Sequence, residues 1–245
     1  MKKFMKFAKC DKDFRIFRER YPERKRIPKP PISIRVNKDN ILKLPKPQNL
    51  IQKTIWRTLL ERRTVRDYAL EPIDIETLST LLFYSLGVSG ETPAYGEVIP
   101  LRMFPTAGAL NSIETIVQVN NVAELEKGFY RYDYWSHALE ILKQGDHRDS
   151  IFKASLEQEH TRKSALNLIL VGYFDRTYWK YGERAYKYVH LDAGHASQNI
   201  LLVAQALGLG ACVVGAFYDE ELCKILDLDC IWRIPLLIIT VGKKN

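Results

Sequence analysis

Residues 185–217, AYKYVHLDAGHASQNILLVAQALGLGACVVGAF, decide the fold class of this chain. Small and apolar side chains recur at helical spacing up to Leu207, and Gly208 and Gly210 then end the pattern, as glycines commonly do after a helix. The apolar run Cys212–Phe217 that follows is typical of a strand buried on both faces. A dinucleotide-binding fingerprint is not indicated, because it needs GxGxxG spacing and the order strand then helix. The helical stripe consists of Ala193, Ala196, Ile200, Val203, Ala204 and Leu207.

The segments on either side of this stretch predict further helices and strands in no regular alternation. Apolar spacing predicts helices over 51–61 and 75–86. Runs rich in β-forming residues predict a hairpin around a Tyr-Trp-Ser turn, and two more apolar runs predict buried strands. Because βαβ alternation is missing, we predict an α+β fold and not a doubly wound sheet. The predicted strands are Gly128–Asp133, His137–Leu142, Leu166–Tyr173 and Leu236–Val241.

The length and composition predict one principal domain over residues 51–245. A chain of 245 residues with 46% hydrophobic side chains is long enough to bury a sizeable core. The formal net charge of +8 favours an anionic ligand or partner. The basic residues are spread along the chain, so nucleic acid is not expected as a partner. Residues 1–50 are charged and proline-rich and predict an arm that either wraps a neighbouring subunit or is partly disordered.

Neither a membrane span nor secretion is indicated by the sequence. No run approaches the ~20 apolar residues that a span requires, and the basic residues 1–9 are followed by charge instead of a hydrophobic segment. We therefore expect a cytoplasmic protein without a membrane partner. The four cysteines lack paired CxxC spacing, so we expect reduced thiols, with neither a disulfide framework nor a zinc cluster. These cysteines are Cys10, Cys212, Cys223 and Cys230.

The segment 62–66, RRTVR, is the strongest local candidate for an anion site. If it is extended, its period of two places Arg62, Thr64 and Arg66 on one face. Two guanidinium groups and a hydroxyl then converge and match a phosphate, since arginine offers paired donors to phosphate oxygens. A solvated basic turn between two helices is the alternative interpretation.

Two further segments carry candidate chemistry. The loop 104–110, FPTAGAL, has little bulk, so its backbone groups can approach a flat heterocycle directly. A turn leading into a strand around Thr115–Val119 explains this loop equally well. Lys180 and Tyr181 place an amine beside a phenol, and a lysine near another cation, here Arg184, loses affinity for its proton and can act as a base. Exposed lysines without a chemical role are common, and that alternative stays open.

Asp192, His195 and Asn199 lie at i, i+3 and i+7 of the predicted long helix and can share one face. His195 is a candidate to titrate or to bind substrate, and a structural polar network is the alternative. His190 and His195 have the wrong helical spacing to share a metal ion, and the chain contains no HExxH, P-loop or GxSxG motif. We therefore expect no metal site.

Taken together and in this order, the segments resemble the nitroreductase-like flavoproteins, and within them the SagB-type dehydrogenases that form thiazoles and oxazoles. The similarity spans about residue 51 to the end of the chain. It implies a nitroreductase-like fold, in which helices flank a central, mainly antiparallel sheet and FMN lies at the interface of a homodimer. The matching segments are RRTVRDY at 62–68, FPTAGALNSIET at 104–115, GFYRYDYWSHALEIL at 128–142, KYGERAYKY at 180–188, DAGHASQN at 192–199 and GLGACVVGAF at 208–217.

The resemblance also implies roles for single residues. The Lys-Tyr pair of azoline oxidases corresponds to Lys180 and Tyr181, which are thereby predicted to be catalytic. Many relatives have Tyr-Pro where this chain has Asn111 and Ser112, and this departure predicts altered substrate contacts. The FMN phosphate is predicted to contact Arg62, Arg63, Thr64 and Arg66, and the flavin is predicted to be bordered by Thr106, Ala107, Gly108, Gly215 and Ala216.

The function implied by the resemblance is FMN-dependent oxidation of a thiazoline or oxazoline in a peptide to the aromatic azole. A peptide or small heterocycle is then the substrate, and a cyclodehydratase is a candidate partner. Two alternatives remain: a general NAD(P)H-dependent nitro or quinone reductase, and a non-catalytic flavin-binding protein that holds a partner enzyme. A nucleic-acid module, suggested by charge alone, would show strongly salt-dependent binding.

Overall fold

One antiparallel sheet forms the centre of the protein in the computed structural model, which describes residues 29–32, 40–48 and 53–245. Its strands are β1 (Ile41–Lys43), β4 (Ile113–Val119), β5 (Gly128–Asp133), β6 (Ala138–Gln144), β7 (Leu166–Tyr173), β8 (Leu209–Val214) and β9 (Arg233–Lys243). Their order across the sheet is β1-β6-β5-β4-β7-β9-β8, and every neighbouring pair is antiparallel. The predicted α+β fold with a mainly antiparallel sheet is therefore confirmed.

Helices cover both faces of this sheet. They are α1 (Ile55–Glu61), α2 (Ile75–Leu86), α3 (Arg148–Ala154), α4 (Glu159–Lys163), α5 (Phe174–Tyr181), α6 (Ala185–Ala206) and α7 (Asp219–Leu226). On one face, α2 and α6 bury side chains such as Leu82 and Ile200 in the main core. On the other face, Ile151 of α3 and Leu222 of α7 belong to a second buried cluster. The sheet is thus shielded from water on both sides, which explains its long apolar runs.

The local sequence patterns predict α1, α2 and α6 and most strands of this sheet, whereas they do not predict α3, α4, α5 and α7. Helix α2 and strand β7 have the predicted bounds. Helix α6 ends at Ala206, one residue before the predicted end at Leu207, and Gly208 then takes a left-handed φ of +80°. Helix α1 begins at Ile55 because the Thr54 side chain caps it by accepting from the Arg57 N–H. Residues 51 and 52 of that prediction lie outside the described residues. Strand β8 covers 209–214 and not 212–217, so Gly215 and Ala216 follow the strand.

A separate two-stranded hairpin, which the sequence patterns do not predict, lies outside the main sheet. It consists of β2 (Val88–Ala94) and β3 (Glu97–Arg102), paired antiparallel. Its turn is Tyr95 and Gly96, with φ values of +54° and +81°. A small apolar cluster of Ile32, Ile99 and Leu110 packs beneath it, so the hairpin is fixed to the rest of the molecule.

The described parts of the predicted arm pack against the same molecule. Residues 40–48 include β1, which adds an edge strand to β6, and the buried Leu44 of the main core. The Gln48 N–H donates to Thr80 Oγ1 at 3.0 Å, and Ser79 Oγ donates to the Pro45 carbonyl at 2.5 Å. The rest of the predicted arm lies outside the described residues, at 1–28, 33–39 and 49–50.

The expectation of reduced thiols is wrong for two of the four cysteines. Cys223 in α7 and Cys230 in the following loop form a disulfide, with Cα atoms 5.7 Å apart. Asp227 ends α7 in the left-handed conformation, with a φ of +55°, and the chain then turns back toward the helix. The expectation of reduced thiols follows from the absence of a CxxC pair in the sequence. This turn instead joins two cysteines that are seven residues apart. Cys212 is buried with a free thiol, and Cys10 lies outside the described residues.

Among the described residues, no helix combines the length and the apolar character needed to cross a bilayer. The same part of the chain contains no group of three or more His, Cys, Asp or Glu side chains arranged to hold a metal ion.

Candidate functional site

Lys180 and Tyr181 lie directly against the small-residue loop, at Gly108. A Cβ atom added to Gly108 would stand 2.6 Å from Tyr181 Oη and 3.0 Å from Lys180 Nζ. Gly108 also has a φ of +61°, which residues with a side chain rarely adopt. The end of α5 and the loop before β4, which are far apart in sequence, therefore meet in one place. We call Tyr95, Gly108, Lys180 and Tyr181 the Lys-Tyr cluster.

Tyr95 is the member of this cluster that sequence patterns do not indicate. Its hydroxyl donates to the Gly108 carbonyl at 2.8 Å, and Lys180 Nζ donates to the same hydroxyl. The Tyr95 ring also contacts the edge of Trp179, with centroids 5.6 Å apart. The only local signal is the Tyr-Gly turn of the hairpin, which says nothing about a contact with Lys180.

The electrostatics of Lys180 differ from the sequence prediction. Burial by itself lowers the pKa of Lys180, but hydrogen bonds to Tyr95 and Tyr181 and the attraction of their phenolic oxygens outweigh it and raise this pKa above its ordinary value. The prediction that Lys180 loses affinity for its proton is therefore wrong. Arg184 Nε, expected to act on Lys180, donates to Tyr188 Oη at 2.8 Å. An ammonium group is the form of Lys180 that this site favours.

Asp192 of α6 fixes the small-residue loop in place. Its carboxylate accepts the Ala107 N–H at 3.0 and 3.1 Å and the Ser112 hydroxyl at 2.8 Å. Burial raises the pKa of Asp192 to about 6, although these hydrogen bonds oppose the shift. Asn199 lies further along α6 and donates to the Met103 carbonyl at 2.9 Å, whereas His195 is exposed. The structural polar network considered from sequence is thus found for Asp192 and Asn199.

Asn111 and Ser112, where many relatives have Tyr-Pro, face the interior. Both are buried, with exposures of 1% and 0%. Asn111 Nδ2 donates to the Pro100 carbonyl at 3.1 Å, and the Asn111 carbonyl accepts from Arg176 Nη1 at 2.6 Å. These two residues therefore hold the loop, the hairpin and α5 together, and the altered substrate contacts stay a prediction.

The arginine-rich segment runs beside β8 in the extended form that the phosphate prediction requires. Thr64 forms a parallel bridge with Ala211, and the Val65 N–H donates to the Ala211 carbonyl at 3.0 Å. Val65 packs on Gly210, where an added Cβ would lie 2.6 Å from a Val65 methyl group. Thr64 and Arg66 are exposed and Val65 between them is half-buried, so burial alternates over 64–66; Arg63 is exposed as well and Arg62 is half-buried, so the predicted shared face of Arg62, Thr64 and Arg66 stays a prediction.

Two of the arginines in this segment have identified neighbours. Arg63 Nη1 donates to the Leu60 and Arg62 carbonyls, both at 2.8 Å, and so binds the carboxyl end of α1. Arg66 lies close enough to Cys212 and His160 to influence the pKa of each. Arg62 is half-buried at the end of α1. Guanidinium groups beside an exposed threonine hydroxyl form a donor set that fits a phosphate.

Gly215 and Ala216 are exposed just past the end of β8. Gln158 Nε2, from the loop before α4, donates to the Ala216 carbonyl at 2.9 Å. An added Cβ at Gly215 would meet only Leu237, at 3.9 Å, so local space does not require glycine at this position. The described contacts thus divide the predicted residues between two groups, one at the Lys-Tyr cluster and one around β8.

A cleft of about 750 Å³ is lined by Ala69 and Leu70, which follow the arginine-rich segment in sequence, and by residues such as Asn120 and Ala165. Three of its four basic side chains pair with carboxylates: Lys127 and Arg148 with Asp146, at 3.0 and 2.5 Å, and Arg162 with Asp149 at 3.6 Å. Because three of these four cations are paired with carboxylates, the cleft is a poorer match for a phosphate than the segment 62–66.

Comparison with known proteins places the chain among oxidoreductases. The model of the nitroreductase family matches residues 59–243. The Methanocaldococcus jannaschii protein named "Putative nitroreductase MJ1384" is 35% identical over 76% of this chain and 89% of its own length. The Escherichia coli "Microcin B17-processing protein McbC" is 27% identical over 71% of this chain and 63% of its length. The Rhizobium leguminosarum bv. trifolii "Trifolitoxin operon protein TfxC" is 22% identical over 89% and 64%.

Solved structures share the fold. A Ralstonia eutropha structure titled as a putative nitroreductase superposes with a TM-score of 0.70 and 24% identity, covering 87% of this chain and 94% of its own. A chain of the E. coli microcin synthetase McbBCD complex, solved with truncated pro-MccB17 bound, gives a TM-score of 0.61 and 24% identity. That match covers 83% of this chain and 77% of the other.

Proposed function

The chain belongs to the nitroreductase family, and on that premise we propose that it is an FMN-dependent dehydrogenase that oxidises a thiazoline or oxazoline in a peptide to the aromatic azole. The observation that carries this proposal is the contact of Lys180 and Tyr181 with Gly108. It joins the residues expected to move a proton to the loop expected to border the flavin. Distant similarity to McbC and TfxC supports the same conclusion.

The residues present fit FMN. Arg62, Thr64 and Arg66 provide guanidinium and hydroxyl donors for the phosphate, while Arg63 is partly engaged with backbone carbonyls. Thr106, Ala107 and Gly108, together with Gly215 and Ala216, offer backbone with little side-chain bulk for a flat ring system. When bound, FMN supplies the acceptor for a hydride.

The Lys-Tyr cluster is assigned the removal of the proton from the azoline ring. Aromatisation of an azoline removes two hydrogens, one with its electron pair as hydride and one as a proton from the neighbouring ring carbon. We assign the ring proton to Tyr181 Oη. Tyr181 first gives its phenolic proton to solvent; its oxygen, as a phenolate beside the Lys180 ammonium that the raised pKa of Lys180 favours, then accepts the ring proton and returns to the phenol. The Lys180 ammonium stabilises negative charge on the phenolic oxygen that receives the proton. Asp192 orients the loop by binding the Ala107 N–H.

A peptide substrate and a homodimer are part of the same proposal. The peptide is suggested by the relative named as a microcin-processing protein and by the complex that contains truncated pro-MccB17. A cyclodehydratase would supply the azoline ring. The homodimer is favoured by α1, whose apolar side chains Ile55, Trp56, Leu59 and Leu60 are exposed by 53%, 75%, 49% and 75%.

The test is a double variant, Lys180→Ala with Tyr181→Phe, in protein that still carries FMN. Loss of the proton-moving groups is expected to slow oxidation of a synthetic azoline peptide by about 100-fold or more. The matched control is Lys153→Ala with Tyr84→Phe, which removes the same groups elsewhere and is expected to keep the wild-type rate. A normal rate in the flavin-loaded Lys180/Tyr181 variant would refute the assignment.

A general NAD(P)H-dependent nitro or quinone reductase is the second candidate. It is favoured by the M. jannaschii relative, which has a higher identity than McbC or TfxC and is matched over 89% of its length. Anaerobic mixing with NADH or NADPH separates the two functions. Flavin bleaching within the turnover time, followed by transfer to a nitroarene or quinone, would favour the reductase. Slow bleaching together with azoline turnover would favour the dehydrogenase.

A further inference from the structure

The hydroxyl of Tyr95 connects the two halves of the Lys-Tyr cluster. It donates to the Gly108 carbonyl at 2.8 Å and receives a hydrogen bond from Lys180 Nζ. A phenol has one O–H to donate, and its oxygen can also accept. Because that O–H is directed to Gly108, Tyr95 can only accept from Lys180. The amine is thereby held as a donor, at a fixed position relative to the loop.

Two aromatic rings lie beside the amine. Lys180 Nζ lies 4.4 Å from the centroid of the Tyr95 ring and 5.1 Å from that of Tyr181. An ammonium group is attracted to the faces of such rings. The Tyr95 ring belongs to the hairpin and the Tyr181 ring to α5. The lysine is therefore contacted by two elements that are separate in sequence.

The hairpin is itself anchored, so that Tyr95 is not at a loose loop tip. Lys29 Nζ donates to the Tyr95 carbonyl at 2.9 Å and pairs with Glu97. The Tyr95 ring packs with Trp179 on the cluster of Ile32, Ile99 and Leu110. Contacts of this kind fix the direction of the hydroxyl, as a residue that positions another side chain requires.

We propose that Tyr95 is a positioning residue for the reaction, acting through Lys180 by fixing its amine relative to Gly108 and Tyr181. The reaction is the one put forward under Proposed function, and this inference rests on it. In that reaction Tyr95 contacts neither the ring carbon nor the hydride. Its effect is to keep the lysine in place while Tyr181 takes the proton.

The experiment compares Tyr95→Phe with Tyr84→Phe, each in the FMN-loaded full-length chain. Phenylalanine keeps the Tyr95 ring and removes its hydroxyl, and Tyr84 packs its ring against Phe83 outside the cluster. Brief labelling with acetic anhydride at about pH 8.5, where only the small neutral fraction of each lysine reacts, reports how firmly an amine is held. Peptide mass spectrometry gives the acetylation of Lys180 relative to the exposed Lys153. The kcat and KM for azoline oxidation are measured on the same samples.

Loss of one hydrogen bond is expected to raise Lys180 labelling about three- to tenfold in Tyr95→Phe, and to leave it unchanged in Tyr84→Phe. The kcat is expected to fall by about tenfold while KM stays within about twofold. Unchanged Lys180 labelling in folded, yellow Tyr95→Phe protein would overturn the proposal, and so would faster labelling with an unchanged kcat. If the wild-type chain oxidises no azoline, the proposed function fails, and the labelling ratio still decides whether Tyr95 holds Lys180.

Discussion

Gly108 is the residue whose lack of a side chain determines the geometry of the candidate site. Three polar side chains approach the space that a Cβ would fill, from Tyr181 at 2.6 Å, Lys180 at 3.0 Å and Tyr95 at 3.2 Å. The left-handed φ of +61° adds a second reason for glycine. A methyl group at this point would separate the loop from the Lys-Tyr pair.

We therefore expect Gly108→Ala to lower azoline oxidation by about 100-fold and to lower the free energy of unfolding by about 1–2 kcal/mol. Gly194→Ala is the matched control. Gly194 is an exposed helical glycine with no atom within 4 Å of an added Cβ, so alanine should stabilise α6 by about 0.5–1 kcal/mol. Urea unfolding and a rate assay check both. Full activity in Gly108→Ala would contradict the described geometry.

The phosphate prediction concerns Thr64 and Arg66, the exposed residues beside β8. Replacing them together by Val and Gln removes charge-assisted and hydroxyl donors, and should weaken FMN binding by about 10- to 100-fold. Flavin fluorescence quenching on titration of the apoprotein measures this. Arg57→Gln is the control, because Arg57 is a nearby arginine that is paired with Glu61 at 2.6 Å. Equal FMN affinity in the two variants would show that the phosphate does not bind to Thr64 and Arg66.

At the scale of elements, Asp192 couples α6 to the loop before β4, and its raised pKa gives this contact a pH dependence. The pKa is about 6 in the folded protein, against about 3.9 in an unfolded chain. The folded state therefore holds the proton more tightly, so this contribution to stability is complete below about pH 4 and is lost as the pH rises through about 6.

The stability advantage of wild type over Asp192→Asn should accordingly shrink by about 2–3 kcal/mol between about pH 4 and pH 7. Urea unfolding of both proteins at a series of pH values gives the two profiles. Asparagine keeps the size of the side chain and does not titrate, so the difference isolates the carboxyl group. Profiles that stay parallel across this range would rule out the coupling.

The sequence predicts elements well where burial alone sets the pattern. Strand β7 is almost entirely apolar, apart from Asn167, because it lies between β4 and β9, and α2 carries a buried stripe. The hairpin β2–β3 is missed because Gly90, Pro93 and Pro100 interrupt its strands and half of its side chains are exposed. The contact of Tyr95 with Lys180 joins residues 85 apart, which no local spacing encodes. The disulfide depends similarly on a left-handed turn at Asp227.

At the scale of the whole molecule, α1 exposes an apolar surface directly before the predicted phosphate segment. Four large apolar side chains of this seven-residue helix are exposed to water, and a patch of this kind commonly marks a protein–protein interface. A second copy of the chain on this surface would also enclose the segment 62–66 that follows α1. Dimerisation and cofactor retention are therefore expected to depend on the same surface.

Trp56→Lys together with Leu60→Lys is expected to shift the protein from dimer to monomer and to weaken FMN retention by about tenfold or more. Sedimentation velocity measures the first effect and the visible spectrum measures the second. Leu142→Lys, at an exposed leucine of β6, should change neither. A dimer that persists in the α1 variant would assign the subunit contact to another surface.

The hairpin has a consequence for how such a protein changes over generations. Tyr95 comes from a ribbon that shares no backbone pairing with the seven-stranded sheet. Substitutions of exposed residues near the turn of that ribbon can therefore alter how the lysine is presented while the seven-stranded sheet keeps its pairing. The proposed proton-moving residues lie on α5, which belongs to the scaffold, so the turn of the hairpin is the part of the site that can diverge while the scaffold persists.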